Sequence, residues 1–419
     1  MQQLGEHDTT PEQLIRVPVT CLQAGMFVAA LDRPWIETPF LLEGLLLRES
    51  RDIHRLQRHC RHVYVDAERS ETGVQATLRG LQTLKGPSSP RRPFPARRPY
   101  PIQRPVEQEF VYARHDFNNA KEMVHRLLRD KHDWHRDIPK VKQTVSRFAG
   151  SILANPSALG WLTRLKHKSE YTAEHCLNVG ILAMTLGRHL GQDRNRIEEL
   201  GLAGMLHDLG KMKLDQAILA KPGKLTHEEF AHVKTHTLEG YAMLENEEGL
   251  PTVVREACRD HHERLDGSGY PHGKRAGDIG ETARIIAIVD TYDAISSRRV
   301  YEEARPTPEA LRILYQARGT LYDDELVIRF IECIGVYPPG SIVELNNGMV
   351  GVVLSVEPDK RLKPRLLLML DERKALMPKT VIDLADASVS SDRQMHVRKV
   401  LPPGAFGIHL EGLMEHLIP

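Results

Sequence analysis

The sequence predicts a mainly α protein: a helical bundle with a small β-rich domain ahead of it and a short β-rich tail behind it. Three observations carry this. From about 108 to 333, apolar residues recur at three-to-four spacing, as in HCLNVGILAMTLGRHL and ALRILYQA, with few β-branched runs. Before that stretch, residues 14–66 alternate short apolar runs with turn residues. After it, a Pro-Pro-Gly stop at 338–340 opens a second series of strand-like runs.

In chain order, residues 1–68 form the first unit, with candidate strands in IRVPVTCL, GMFVAAL, TPFLLEGLLL and HVYVD and a helix around 49–60. Residues 69–105 read as a linker, because GPSSPRRPFPARRPYPIQRP is too rich in proline for helix and its arginine pairs favour a solvated, extended chain. Those arginines (Arg91, Arg92, Arg97, Arg98) are read as solvated charge rather than as a ligand site. Residues 106–336 are the helical domain. Residues 337–419 are the β-rich extension, with SIVEL and MVGVVLSV joined by a hairpin at Asn347-Gly348, then RLLLML and TVIDL. No repeat of fixed period is present.

At 419 residues the chain exceeds one ordinary core, and about two or three units are expected. The 57 basic and 56 acidic side chains nearly cancel, so nothing global steers the protein to a nucleic acid polymer or an anionic membrane. No apolar run approaches the roughly 18 residues that span a bilayer, and the N-terminus lacks a basic-then-apolar signal pattern. A cytoplasmic protein without a membrane span is the expectation. The 5 cysteines lie far apart, form no C-x-x-C pair, and are expected to be reduced and mostly buried.

The 21 histidines are more informative. Within the helical part, candidate metal ligands recur at intervals close to one helix plus loop: His175, His207 with Asp208, His236, His261 with His262, and Asp290. Any one of these histidines alone is more often a packed or solvated side chain than a ligand, so the joint pattern carries the weight. These are nitrogen and oxygen donors without thiolate, and they exceed the about four of a structural zinc site. They favour two divalent ions of octahedral leaning, iron or manganese, with zinc, cobalt or nickel as substitutes. Two ions about 3.5–4 Å apart clamp a phosphoryl group and lower the pKa of a water between them, which implies phosphoester hydrolysis. Lys211 lies one helical turn beyond His207 and Asp208.

Directly after the paired histidines, HHERLDGSGYP at 261–271 turns tightly at Gly267 and Gly269. Tyr270 in that loop has two open roles, packing against the ligand-bearing helices or stacking on a base.

HDLGK at 207–211, KPGKLTHEEF at 221–230, HTLEG with His236, HHERLDGSGYP, and RIIAIVDTYDAISS at 284–297 stand in this order. Together they resemble the HD-GYP family of bacterial cyclic di-GMP phosphodiesterases, over about 165 to 335. GMFVAALDRPWIETPF at 25–40 is similar to a small domain of unassigned function often found ahead of HD-GYP units. The resemblance implies an HD-type bundle that hydrolyses cyclic di-GMP to linear pGpG and, as a further step, to GMP. It implies that His175, His207, Asp208 and Asp290 hold one metal and that Asp208, His236, His261 and His262 hold the other, with Asp208 bridging. Lys211 matches the lysine that contacts the scissile phosphate and protonates the leaving alkoxide, a task suited to an ammonium whose pKa neighbouring cations depress. Arg299 and Tyr301 match the R-P-Y element that contacts ligand phosphate.

Three positions depart from the family pattern. Tyr171 stands where some members place a third-metal glutamate, so two metals are expected. Val300 replaces the proline of R-P-Y, and Glu302 occupies a position that is often basic, which should weaken dinucleotide binding. Two other readings stay open: an HD phosphohydrolase for another nucleotide, and a weakly active receptor or interaction protein for cyclic di-GMP. Protein partners through the N-terminal domain or the GYP loop, and oligomeric state, are not fixed by the residues.

Overall fold

The computed structural model describes residues 14–33, 45–47, 50–67, 70–74, 100–129, 134–165, 171–221, 223–297, 307–357, 360, 363–386, 395–410 and 413. Contacts divide the chain into two units, 1–93 and 94–419. Arg91, Arg92, Arg97, Arg98, Arg299, Val300, Tyr301 and Glu302 lie outside the described residues, as does the side chain of Tyr171.

The first unit is a four-stranded antiparallel sheet with one helix. Its strands β1 (Leu14–Pro18), β2 (Phe27–Leu31), β3 (Leu45–Leu46) and β4 (His62–Asp66) are ordered β1-β4-β2-β3. In β1, Ile15 and Val17 are buried while Arg16 and Pro18 are exposed, the period of two that a half-covered sheet requires. Helix α1 (Ser50–His59) contributes Leu56 to the same core as Val17, Val28, Val63 and Val65.

The second unit begins with α2 (Val106–Arg129), α3 (Ile138–Ala154), α4 (Pro156–Leu162), α5 (Tyr171–His189) and α6 (Arg194–Leu206). There follow α7 (Gln216–Leu219), α8 (His227–Lys234), α9 (His236–Leu244), α10 (Thr252–Asp260), α11 (Glu281–Ser296), α12 (Thr307–Ala317) and α13 (Asp324–Ile334). Asp193 caps α6 by accepting from Arg196 N, and Thr226 with Glu229 forms a capping box on α8, so both starts are set by local sequence. Helices α5 and α6 touch backbone to backbone. A Cβ added at Gly204 would lie 2.6 Å from the Cα of Gly180, a separation no side chain tolerates, so glycine at the crossing brings His175 and His207 onto one centre. Residues 100–105, at the end of the stretch expected as linker, are held to this unit: Tyr100 Oη donates to Gln192 O at 2.7 Å, and Arg188 donates back to Tyr100 O.

The chain closes with β5 (Ile342–Leu345), β6 (Val350–Ser355), β7 (Arg365–Leu370), β8 (Leu376–Asp383) and β9 (Val397–Leu401), an antiparallel sheet ordered β8-β7-β6-β5-β9. Both faces are covered. Val350, Val352, Leu354 and Leu367 join the helical core, while Val353, Leu366 and Leu368 build a second small core on the opposite face. The Trp161 indole on α4 donates to Leu354 O at 3.0 Å and fixes the sheet to the bundle. Cys60, Cys176 and Cys258 are buried and none of the five cysteines forms a disulfide, but Cys21 is exposed because it ends a surface turn after β1. Among the described residues, no helix is long and apolar enough to cross a membrane.

Candidate metal centre

Each of the seven donors expected from sequence sits on, or beside the end of, a helix of the bundle. His175 is in the first turns of α5. His207 follows α6 and leads through Asp208 into a short 3-10 turn, Leu209–Lys213. His236 opens α9, His261 and His262 follow α10, and Asp290 lies on α11. Gly210 makes this convergence sterically feasible. A Cβ there would fall 1.9 Å from His236 O, and only 2.5 Å from Gly240 N, so the turn after Asp208 packs directly on the first turns of α9.

The structure brings all seven together in two sets that share Asp208: His175, His207 and Asp208 form one, and Asp208, His236, His261 and His262 the other. Asp290 joins the first set, its Oδ1 lying 3.1 Å from His175 Nε2 and 4.0 Å from His207 Nε2. Asp208 divides its oxygens between the sets. Its Oδ2 faces His207 Nε2 at 3.2 Å and His175 Nε2 at 3.8 Å, while its Oδ1 faces His236 Nε2 at 3.3 Å and His261 Nε2 at 4.0 Å.

The orientation of the rings follows from their other nitrogens. The Nδ1 of His207, His236 and His261 lies 2.7, 2.7 and 2.9 Å from the carbonyl oxygens of Gly204, Val233 and Cys258, each three residues earlier. A carbonyl only accepts, so Nδ1 carries the proton and Nε2 presents its lone pair inward. His175 is turned differently: its Nδ1 is 2.8 Å from Oδ2 of Asp293, whose Oδ1 accepts from Asn178 at 3.2 Å, and its Nε2 faces the centre. Nε2 of His207, His236 and His261 and Oδ1 of Asp208 are buried polar atoms with no hydrogen-bond partner. Four orphaned acceptors in so small a volume cost several kcal/mol unless a cation satisfies them. The donor set therefore fits divalent metal, with second-shell partners on the imidazoles as such sites require.

The protein's own electrostatics differ across the centre. Burial pushes His262 down to about 3 and holds His261 and His236 below the ordinary imidazole range, so these rings are neutral and ready to ligate. At His175 burial works in the same sense, but Asp290 and Asp293 outweigh it and raise the pKa to about 9. Burial opposes charge on Asp208 and Asp290 too. His207 with Lys211, and His175 respectively, overcome it and keep both carboxyls well below the usual range.

Lys211 Nζ lies 2.5 Å from Asp208 Oδ2. Burial disfavours the ammonium, yet the Asp208 carboxylate more than offsets it, and in the protein without metal the Lys211 pKa is raised. Tyr270 packs on the ligand set, its ring tilted 31° to that of His262 with centroids 4.6 Å apart. The loop around it hangs on the buried Glu263, whose two oxygens accept from His272 N at 2.7 Å and Lys274 N at 2.9 Å. Asp293, Asn178 and Glu263 were not singled out from sequence. For Asp293 a signal exists, a second carboxylate three residues beyond Asp290 on the same helix face.

The HD domain family matches residues 155–326, a domain of unknown function matches 14–132, and a KOW domain associated with HD domains matches 342–389. A cyclic di-GMP phosphodiesterase of Pseudomonas aeruginosa is 35% identical over 383 residues, covering 89% of this chain and 90% of that protein. A cyclic di-GMP phosphodiesterase of Thermotoga maritima is 37% identical over 169 residues, 39% of this chain and 46% of its own. A 3′3′-cGAMP-specific phosphodiesterase of Vibrio cholerae is 37% identical over 172 residues, 41% of this chain and 37% of its own.

Proposed function

Because this chain belongs to the HD-GYP family of HD-domain proteins, we propose that it is a metal-dependent phosphodiesterase that opens cyclic di-GMP to linear pGpG, with GMP as a further product. The observation that supports this reading most directly is Asp208, whose two oxygens face two separate groups of inward-pointing imidazoles. In this reading His175, His207, Asp208 and Asp290 hold one divalent ion, and Asp208, His236, His261 and His262 hold the other. Iron or manganese suits the donors, and the tyrosine at 171 in place of a third-site glutamate limits the count to two.

When bound, two such ions supply a Lewis acid and a water of lowered pKa for in-line attack at phosphorus. The chain's own residues do the rest. Asp208 fixes the spacing of the two positions, and the Nδ1 bonds of the histidines hold each lone pair on target. Lys211 is the catalytic acid: its side chain is 28% exposed and keeps a proton to deliver to the leaving oxygen. Arg299 and Tyr301, outside the described residues, are assigned to ligand phosphate, and Glu302 beside them lowers dinucleotide affinity. The reaction belongs in the cytoplasm, where the second messenger is made.

The Vibrio relatives named for 3′3′-cGAMP support a second substrate for the same chemistry. The deciding experiment offers both dinucleotides to anaerobically purified protein whose metals have been counted. Release of pGpG from cyclic di-GMP is expected, faster than cleavage of 3′3′-cGAMP. Binding without release would establish the receptor reading instead.

A further inference from the structure

Six of the seven donors are buried, and His262 is the one that is partly exposed. What lies beside it is not assigned by the donor pattern. Tyr270 stacks on His262, and Phe230 of α8 stands edge-on to Tyr270 with centroids 6.3 Å apart. Phe230 is 44% exposed, unusual for a large aromatic beside a buried cluster. The Lys234 ammonium sits 4.7 Å from the Phe230 centroid and 5.4 Å from that of Tyr270. These rings are its described partners, and no carboxylate is paired with it among the described residues.

An exposed aromatic ring and a cation with no carboxylate partner among the described residues together suit a ligand that is both flat and anionic. Hydrophobic packing explains Tyr270, which is largely covered, but not the 44% exposure of Phe230. A nucleotide fits both features: a base stacks on the ring, as aromatic platforms bind single-stranded nucleotides, and a phosphate meets the ammonium. Phe230 and Lys234 are four residues apart on one helix, so they present these two groups from one face. We propose that Phe230 and Lys234, backed by Tyr270, form the substrate wall of the metal centre. Phe230 stacks on a nucleobase and Lys234 neutralises the phosphate that is not being cleaved. This rests on the reading that the substrate is a nucleotide phosphodiester and extends it to the residues that recognise the base.

The test is calorimetric titration of the metal-loaded protein with GMP, linear pGpG and orthophosphate, which share phosphate while only the first two carry a base. Phe230→Ala should weaken GMP and pGpG by about tenfold and leave orthophosphate and metal content unchanged, and Phe230→Trp should restore both nucleotides. Lys234→Gln should weaken pGpG more than GMP. The exposure of Phe230 means that its removal opens no buried cavity, so a folded variant is expected. The proposal is overturned if Phe230→Ala binds GMP like the parent, or if orthophosphate falls in parallel. Turnover assays on the parent keep the premise separate: failure to cleave any cyclic dinucleotide, with a base-dependent loss still seen for Phe230→Ala, would remove the phosphodiesterase reading and leave the wall standing.

Discussion

The two halves of the centre hold their imidazoles by different means. His236 and His261 point inward because each ring donates to a carbonyl three residues earlier, an interaction written into a single turn of chain. His175 points inward because Asp293 accepts from it across 118 residues of sequence, from helix α11 to helix α5. In the first half the imidazoles of His236, His261 and His262 are neutral; in the second, two carboxylates around one ring keep His175 charged. A donor set can thus be oriented locally or by tertiary packing, and the two routes leave different proton inventories for the metal to displace.

The largest effect should come from removing what the halves share. Asp208→Ala is expected to lose both ions and to lower kcat/KM by on the order of 10³-fold, about 4 kcal/mol of transition-state stabilisation. Elemental analysis showing two ions retained per chain would contradict the bridging role. Breaking the tertiary half alone is the next test. Asp293→Asn should weaken one ion by about 10- to 100-fold and leave the other in place, the usual cost of losing a second-shell carboxylate. Metal titration should then resolve one weak and one unaltered site; two sites weakened equally would show that the halves are not separable.

Proton competition sharpens the same contrast. With its pKa raised to about 9, His175 is protonated at neutral pH and must release that proton to ligate. Affinity on its side should climb by about tenfold per pH unit from 7 toward 9 and then level, while the His262 side, neutral above about 3, should stay flat. In metal-free protein the signs oppose each other. The raised His175 contributes stability below its unfolded pKa of about 6.5 that is lost as pH rises through about 9, and the lowered His262 contributes stability above about 6.5 that is lost as pH falls toward about 3. Isotherms at pH 7 and pH 8.5 measure the difference. The smallest expected effect is on the local half. Gly210→Ala forces a Cβ to within 1.9 Å of His236 O, so the turn and α9 must separate. A destabilisation of about 1–3 kcal/mol by denaturant titration should accompany weaker metal binding at the His236 side.

Much of this was legible without coordinates. The change from period-two to three-to-four spacing marked the sheets and the bundle, since each records which side of one element faces a core. The donors His175, His207, Asp208, His236, His261, His262 and Asp290 were readable as a set, because a metal-binding pattern needs several rare residues at helix-length intervals. Other features were silent. Nothing in the string IRVPVTCL says that Cys21 ends a turn and lies exposed while the apolar residues before it are buried. Nothing in KPGKLTHEEF sets Phe230 apart, and only its exposure beside Tyr270 and Lys234 distinguished it.

The sequence by itself determined which side chains were available and how three of the ligand rings are turned, since hydrogen bonds within one helical turn depend on neighbours in the chain. Tertiary structure alone decided that Asp208 splits its oxygens between two groups, that Asp293 orients His175, and that His262 is the partly exposed donor. The physical reason is range. Backbone geometry fixes contacts three or four residues apart, whereas distances between helices are set by close packing at points such as Gly180 against Gly204, where the absence of a side chain on both helices lets the two backbones meet.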